Sequence, residues 1–361
     1  MEIIKEIANN FQLDGYVVDV KKQDNGLINQ TYVVTTSTHK KYIIQKINTF
    51  VFENPYQIME NIKIIVEHLE RKKTNRQTLK IIKTLDGKCI YNYGGGFYRC
   101  YNYIVNSISY QVPADYNILS EAGKCIGDFQ ANLIDLDGSK IKNVFCNFHN
   151  TPFRFDLLRA SYHKVSGKRR DIGCKLYEKI KDENRKFSII ERNIEKGNIP
   201  KRITHNDTKL NNIMFDETTN KALCMIDLDT VMEGSVLYDF GDALRIAASA
   251  VSEDEKDVSK INFDTKAYCY FLIGYLSKMC KYLNTEEKKH LVDSIYVITM
   301  ECSIRFLTDY FDGDVYFETK YENHNLDRAI NQYYLAQNIK SKEPVLLKLT
   351  KSLLNHFEKY C

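Results

Sequence analysis

Apolar residues fall first in short alternating runs and later in long stripes spaced three and four apart. After an opening amphipathic pattern, MEIIKEIANNFQ, the runs YVVDVKK, QTYVVTT and KYIIQKIN are β-branched and aromatic, with polar turns at Asn25-Gly26 and from Ser37 to Lys40. They predict an antiparallel meander. Pro55 then opens PYQIMENIKIIVEHLE, where Ile58, Ile62, Ile65, Val66 and Leu69 share one helical face. Two more strand patterns, TLKIIKTL and FYRCYNYIV, are joined through Gly94, Gly95 and Gly96. From ILSEAGKCIGDFQANL onward helical stripes dominate, most clearly over 174–195, 236–250, 265–282, 285–310 and 343–360. Only RITHND, NNIMFD and ALCMIDL interrupt them with strand-like runs. The change of pattern predicts an α+β chain of two lobes, 1–105 and 106–361, with the hinge near residue 105. With five prolines and no Pro/Gly/Ser linker, the lobes should pack as one unit.

Composition narrows the function classes. A chain of 361 residues exceeds one typical domain. Its 51 basic and 47 acidic residues nearly cancel, which gives no reason to expect a nucleic-acid partner. The basic stretch KVSGKRRDIG (Lys164, Lys168, Arg169, Arg170) lacks interleaved aromatics and reads as a solvated loop. No apolar run approaches the roughly 18 residues that span a bilayer, and the charged start is unlike a secretory segment. Ten cysteines are scattered singly, without C-x-x-C or zinc spacing, as expected of reduced thiols in a cytoplasmic protein.

The chemistry concentrates in ITHNDTKLNNIMFD and, shortly after, LCMIDLDTVMEGSVLYDFGD. Asp207 and Asn212 stand at opposite ends of one short loop between strand-like runs. Asp227 and Asp229 follow the run ALCMI two residues apart, which puts them on one face of an extended chain. Hard oxygen ligands with few carboxylates suit magnesium, which keeps water and substrate phosphates in its shell. Phosphoryl transfer needs a carboxylate near the attacking hydroxyl and ligands for the metal, and Asp207, Asn212 and Asp227 supply that minimum.

H-x-D-x-x-x-x-N, written here HNDTKLNN, with an Asp twenty residues after Asp207, resembles the kinase-fold catalytic loop and metal-binding aspartate. IDLD in place of D-F-G, followed by YDFGD, resembles the aminoglycoside phosphotransferase and choline kinase-like superfamily. NGLINQTYVV, YIIQKINTFVFENPYQIMENI, THNDTKLNNIMFD, IDLDTVMEGSVLYDFGDALR and ECSIRFLTDYFDGDVYF together resemble the N-acetylhexosamine 1-kinase family.

That resemblance implies a bilobal protein-kinase-like fold, with a small antiparallel-sheet nucleotide-binding lobe carrying one helix and a larger helical lobe holding the catalytic loop and sugar site. It implies ATP as donor, Mg2+ as cofactor and the anomeric hydroxyl of an amino sugar (GlcNAc or GalNAc) as acceptor. Asp207 then orients the sugar hydroxyl and accepts its proton, and Asn212 and Asp227 hold the metal. Asp229 either supports the metal or caps the turn. Lys209 either reaches the transferring phosphoryl group or stays solvated, while His205 and Asp239 brace the loop. In the first lobe Gly26, Asn29 and Thr31 would lie near phosphate. Of Gln45 and Lys46, which alternate in direction, only one can face nucleotide; Gln45 matches the family pattern, with Glu60 as its bracing partner. Arg305 and Tyr316 match sugar-contacting positions.

Eleven residues separate Asp227 from Asp239, too few for a peptide-docking activation segment, so a protein kinase is disfavoured. A homoserine, choline or aminoglycoside kinase is the alternative within the superfamily. A silent nucleotide-binding module should have lost one of the three central ligands, and none is lost.

Overall fold

A computed structural model describes residues 1–23, 28–72, 74 and 76–360. Helix α1 (Glu2–Ala8) leads into strands β1 (Val17–Gln23), β2 (Gln30–Thr36) and β3 (Lys41–Ile47), the expected meander. Helix α2 (Pro55–Arg71) starts at Pro55 with Asn54 capping it, its side chain accepting from the N–H of Gln57 at 3.1 Å. The short strands β4 (Ile81–Ile82) and β5 (Tyr91–Tyr93) precede the long β6 (Gly96–Asn102). Sheet order is β1-β2-β3-β6-β4, with β5 also on β6, and β6 runs antiparallel to β3 so that Gln45 faces Arg99. TLKIIKTL contributes only the two residues of β4.

Alternation divides the sheet's side chains between two faces. Val34, Tyr42, Ile44, Tyr98 and Cys100 pack on Ile4, Ile7 and Ala8 of α1. Ile47 and Tyr101 join the apolar face of α2 (Ile58, Met59, Ile62, Ile65, Val66) in the main core.

After β7 (Ser107–Ile108) the chain is mainly helical: α3 (Tyr116–Asn132), α4 (Thr151–Lys164), α5 (Lys168–Asp182), α6 (Asn184–Phe187) and α7 (Ile189–Glu195). Then β8 (Arg202–Thr204), β9 (Ile213–Asp216), β10 (Ala222–Met225) and β11 (Met232–Gly234) frame two loops. Helices α8 (Val236–Ala247), α9 (Thr265–Met279), α10 (Thr285–Lys289), α11 (Leu291–Asp312) and α12 (His324–Phe357) complete the fold. Strand β9 pairs with both β10 and β7, and β11 pairs with β8. Gly241 lets α8 lie directly on α11, since a Cβ there would stand 2.5 Å from the Ser294 carbonyl oxygen.

Several expectations need correction. The stripe over 174–195 is three helices, interrupted at Glu183 and Ser188. Helix α12 begins at His324 rather than 343 and continues through Pro344. Its first half buries His324, Asn325, Asn331 and Gln332, all hydrogen-bonded, so binary patterning hides it. The basic stretch is not a loop, because α5 starts at Lys168. Arg169 pairs with Asp314 at 2.7 Å, and Arg170 stacks on Tyr162 at 5.0 Å from the ring centre. Among the described residues, no helix is long and apolar enough to cross a membrane.

Candidate active site

The loop 205–212 leaves β8 between two braces. Asp239, in the first turn of α8, accepts the backbone N–H groups of His205 (3.0 Å) and Asn206 (2.7 Å) and the Gln130 amide (2.9 Å). His205 is fully buried and its Nε2 meets the Ile226 carbonyl at 2.9 Å; among the described residues its Nδ1 has no hydrogen-bond partner. The Ile226 N–H donates to the Asn212 carbonyl at 2.9 Å, so the residue before Asp227 is bound from both ends of the loop. Asn206 adopts φ +64°, a conformation asparagine tolerates better than most residues. Its amide donates to the carbonyls of Thr204 (3.2 Å) and Thr230 (2.9 Å). Gly234 makes room for it: a Cβ would stand 2.5 Å from Thr204 Oγ1 and 2.8 Å from Asn206 Oδ1.

Asp207 emerges next, half-buried. Lys209 Nζ stands 2.7 Å from Asp207 Oδ1, and Asn212 Nδ2 donates to Oδ2 and to the Asp207 carbonyl, both at 2.9 Å. Burial pushes the carboxyl up, but Lys209, His205 and Asn212 outweigh it and hold Asp207 below the usual carboxylate range. Lys209 is held above the usual lysine range: burial opposes its charge, and Asp207 and Asp242 more than compensate. A fixed anion and a fixed cation therefore sit together at neutral pH. The Asn212 nitrogen is committed to Asp207, while among the described residues its amide oxygen accepts no hydrogen bond.

Asp227 opens the neighbouring turn in a left-handed conformation, φ +59°. It is reachable from solvent, yet packed round by protein and flanked by Asp229 and Asp207. Burial and these two carboxylates push it up to about 7, against the pull of Arg99 and Lys209. An amide oxygen and a crowded carboxylate fit a magnesium ion that takes its remaining ligands from phosphate and water. Among the described residues, no group of three His, Cys, Asp or Glu side chains could hold a metal unaided.

The raised Asp227 carboxyl has a signed consequence for stability. Its stabilising share is complete below the ordinary carboxylate pKa and is lost as pH rises through about 7. Asp227→Asn should remove that loss and suits the left-handed backbone. Partial exposure screens the repulsion, so the metal-free variant should melt about 1–2 °C above wild type at pH 8, the equivalent of roughly 1 kcal/mol in a chain of this length. Near pH 4 no gain is expected. Differential scanning calorimetry at the two pH values measures both, and an unchanged or lower melting temperature at pH 8 would contradict the crowding.

Asp229 is engaged differently. Arg99 on β6 binds it through two N–H groups, at 2.5 and 2.9 Å, and Asn29 Nδ2 donates to Oδ2 at 2.7 Å. Both oxygens accept hydrogen bonds, and through them Asp229 ties the 227–230 turn to the N-terminal sheet. Burial works against the Arg99 charge, and Asp229 more than restores it. Gln45 accepts from Arg99 Nε at 3.0 Å and donates to Thr31 Oγ1 at 3.1 Å. The structure thus joins Asn29, Thr31 and Gln45 in one network around a cation that sequence reasoning missed. The signal was an arginine at an inward position of FYRCYNYIV. Glu60 is exposed and does not reach Gln45; Met59, one residue earlier, faces Arg99 (Nη1 to Sδ 3.8 Å), a rotation of about 100° on α2. Gly26 lies outside the described residues.

On the far side of the loop, Asp242 pairs with Arg245 at 3.1 Å. Arg305 lies within electrostatic reach of Arg245, as does Lys209. Its guanidinium is bordered by Phe148 (5.9 Å from the ring centre), Tyr316 (5.9 Å) and Phe317 (5.5 Å). Tyr316 is 63 % exposed. Its loop is folded over Asp309, whose carboxylate accepts the N–H groups of Val315 (3.0 Å), Tyr316 (2.8 Å) and Phe317 (2.9 Å).

The model of the APH phosphotransferase enzyme family matches residues 19–259. The chain belongs to this family. It is a small-molecule phosphotransferase with an alcohol group as acceptor. Solved structures share the fold over nearly the whole chain. An amicoumacin kinase in complex with AMP-PNP, Ca2+ and Ami is 10 % identical with TM-score 0.60, covering 100 % of this chain and 97 % of that one. A choline kinase from Cryptosporidium parvum Iowa II is 16 % identical with TM-score 0.58, covering 98 % and 99 %. An aminoglycoside phosphotransferase from Alicyclobacillus acidocaldarius is 11 % identical with TM-score 0.60, covering 97 % and 95 %. The kinase-like α+β fold, an antiparallel N-terminal sheet with a larger helical part, is therefore as the sequence predicts.

Proposed function

We propose that this phosphotransferase uses magnesium and ATP to phosphorylate the anomeric hydroxyl of an N-acetylhexosamine, GlcNAc or GalNAc, by direct in-line transfer. The observation that carries the choice of acceptor is Arg305. Among the described residues it makes no hydrogen bond or ion pair, while Asp242, Glu253 and Glu301 are already matched by Arg245 and His149. A cation with free N–H groups repels a cationic acceptor such as choline or an aminoglycoside, and donates readily to hydroxyl and acetamide oxygens. The exposed Tyr316 ring offers an apolar face to a pyranose.

In this reading Asp207 accepts a hydrogen bond from the attacking hydroxyl and takes its proton as the phosphoryl group leaves ATP. Lys209 holds that carboxylate and offers positive charge to the phosphoryl oxygens. Asn212 and Asp227 would hold the metal, which neutralises phosphate charge when bound. Asp229 acts through Arg99 and Asn29 to keep the turn in place. Asn29, Thr31 and Gln45 line the nucleotide side, and the segments 1–105 and 106–361 act as the two lobes.

The test is ADP release by the purified chain with magnesium-ATP and a panel of acceptors. Release above the acceptor-free control with GlcNAc or GalNAc, and none with choline or an aminoglycoside, is expected. A second reading draws on the same arginine, because a free guanidinium also fits the carboxylate of homoserine; activity confined to homoserine would select it. Arg305→Met should raise KM for the sugar about 10- to 100-fold, the worth of hydrogen bonds from one charged donor, with KM for ATP unchanged. Equal effects on both substrates would remove Arg305 from the acceptor site.

A further inference from the structure

His149 lies in the segment before α4, where neither the catalytic-loop motif nor the acceptor residues account for it. Its ring packs between Phe148 (4.7 Å between centroids) and Tyr238 (5.4 Å). Nδ1 stands 2.9 Å from Glu301 Oε1, and Nε2 stands 3.0 Å from the carbonyl oxygen of Asn206. Glu301, fully buried on α11, accepts at its other oxygen from Thr151 Oγ1 at 2.8 Å. A carbonyl can only accept, and so can an ionised carboxylate; the ring therefore carries hydrogen on both nitrogens. Arg154 and Arg305 face Glu301, and Asp242 faces His149, so the surroundings favour both charges.

Asn206 immediately precedes Asp207. The N–H groups of His205 and Asn206 are held by Asp239, and the Asn206 side chain by Thr204 and Thr230. The His205 carbonyl accepts from Thr230 Oγ1 at 2.7 Å and the Thr208 hydroxyl donates to the Asp239 carbonyl at 2.6 Å. The Asn206 carbonyl, the one that His149 meets, shares a rigid peptide plane with the nitrogen of Asp207. A charged donor aimed at that oxygen sets the direction in which the chain enters Asp207. Glu301, the partner of that donor, stands one helical turn before Arg305 on α11. Phe148, the neighbour of His149, borders the Arg305 guanidinium.

We propose that His149 is a positioning residue that fixes the orientation of Asp207 through the Asn206 carbonyl, and that Glu301 keys this orientation to the helix carrying Arg305. One buried ion pair then holds the catalytic loop and the acceptor side in a common register. The inference rests on the role given to Asp207 above.

The test uses the full chain with His149→Gln, Glu301→Gln and the double variant. Two rates are measured: ADP release with N-acetylglucosamine, and the slower release to water without sugar. Each single variant should lose about 10- to 100-fold in kcat, the scale of a misplaced catalytic group, with KM for ATP within about twofold of wild type. The double variant should lose no more than either single one, since the two residues act as a unit. If wild type is no faster with sugar than without it, the sugar reading fails and the water rates alone decide the role of His149. If a single variant does not fold, the double variant, which leaves no lone buried charge, carries the comparison. Rates within twofold of wild type, or a loss confined to KM for ATP, overturn the proposal.

Discussion

Replacing Asp207 by asparagine is expected to lower kcat by about 10²- to 10⁴-fold, the range of a lost general base, without unfolding the chain. Asn212 can still donate to the side-chain oxygen left at position 207, and Lys209 is partly exposed, so freeing it costs little stability. What disappears is the one carboxylate presented by a loop tied through the backbone N–H groups of His205 and Asn206 and the Thr208 hydroxyl. Because Asp207 is held below the ordinary carboxylate range, it is already ionised at neutral pH, and in the proposed mechanism its task would be mainly orientation followed by late proton uptake. Steady-state rates for the variant, with a melting curve beside them, check this. Activity within a few-fold of wild type would take Asp207 out of the catalytic role.

Arg99→Met should have the largest effect on stability. Among the described residues it leaves the Asp229 carboxylate, 3 % exposed, with only the Asn29 amide as partner and with Asp227 nearby. Breaking a buried pair from one side costs about 3–5 kcal/mol, which in a chain of this length corresponds to a melting temperature lower by about 4–7 °C. Removing both charges, as in Arg99→Met with Asp229→Leu, should recover much of that loss, because no lone charge then stays buried. Activity should not return with stability: the Arg99–Asp229 bridge is what ties the turn bearing Asp227 to the N-terminal sheet. A single variant as stable as wild type would show that the bridge bears no load. A double variant as unstable as the single would show that the loss is one of packing.

The parts of this site that were legible in the sequence are those fixed by short spacing. Asp207 and Asn212 share one loop, and Asp227 comes two residues after the end of a strand that pairs with the strand following that loop, so H-x-D-x-x-x-x-N and IDLD carried their proximity. Arg99 was not legible because its partners come from strand pairing at long range: it faces Gln45 across β3 and β6 and reaches Asp229 from another part of the chain. Helical periodicity placed Glu60 on the right helix but could not tell which neighbour faces the sheet, and Met59 does. Asn206, whose role sequence alone did not reveal, is explained by a left-handed backbone and the close approach of Gly234. His149 and Glu301 stand 152 residues apart, beyond the reach of any local motif. In the fold, the meander, α2, α3, α8 and α9 followed their apolar patterns. The first half of α12 did not, because it buries amides and a histidine rather than an apolar stripe.

The central claim is transfer of the γ-phosphate to the anomeric oxygen of an N-acetylhexosamine. It is tested most directly by incubating the chain with magnesium-ATP and N-acetylglucosamine and recording the proton-coupled phosphorus spectrum of the product. A new phosphomonoester signal coupled to the anomeric proton of the sugar is expected; a phosphate coupled to any other sugar proton, or no sugar phosphate at all, would contradict transfer to the anomeric oxygen.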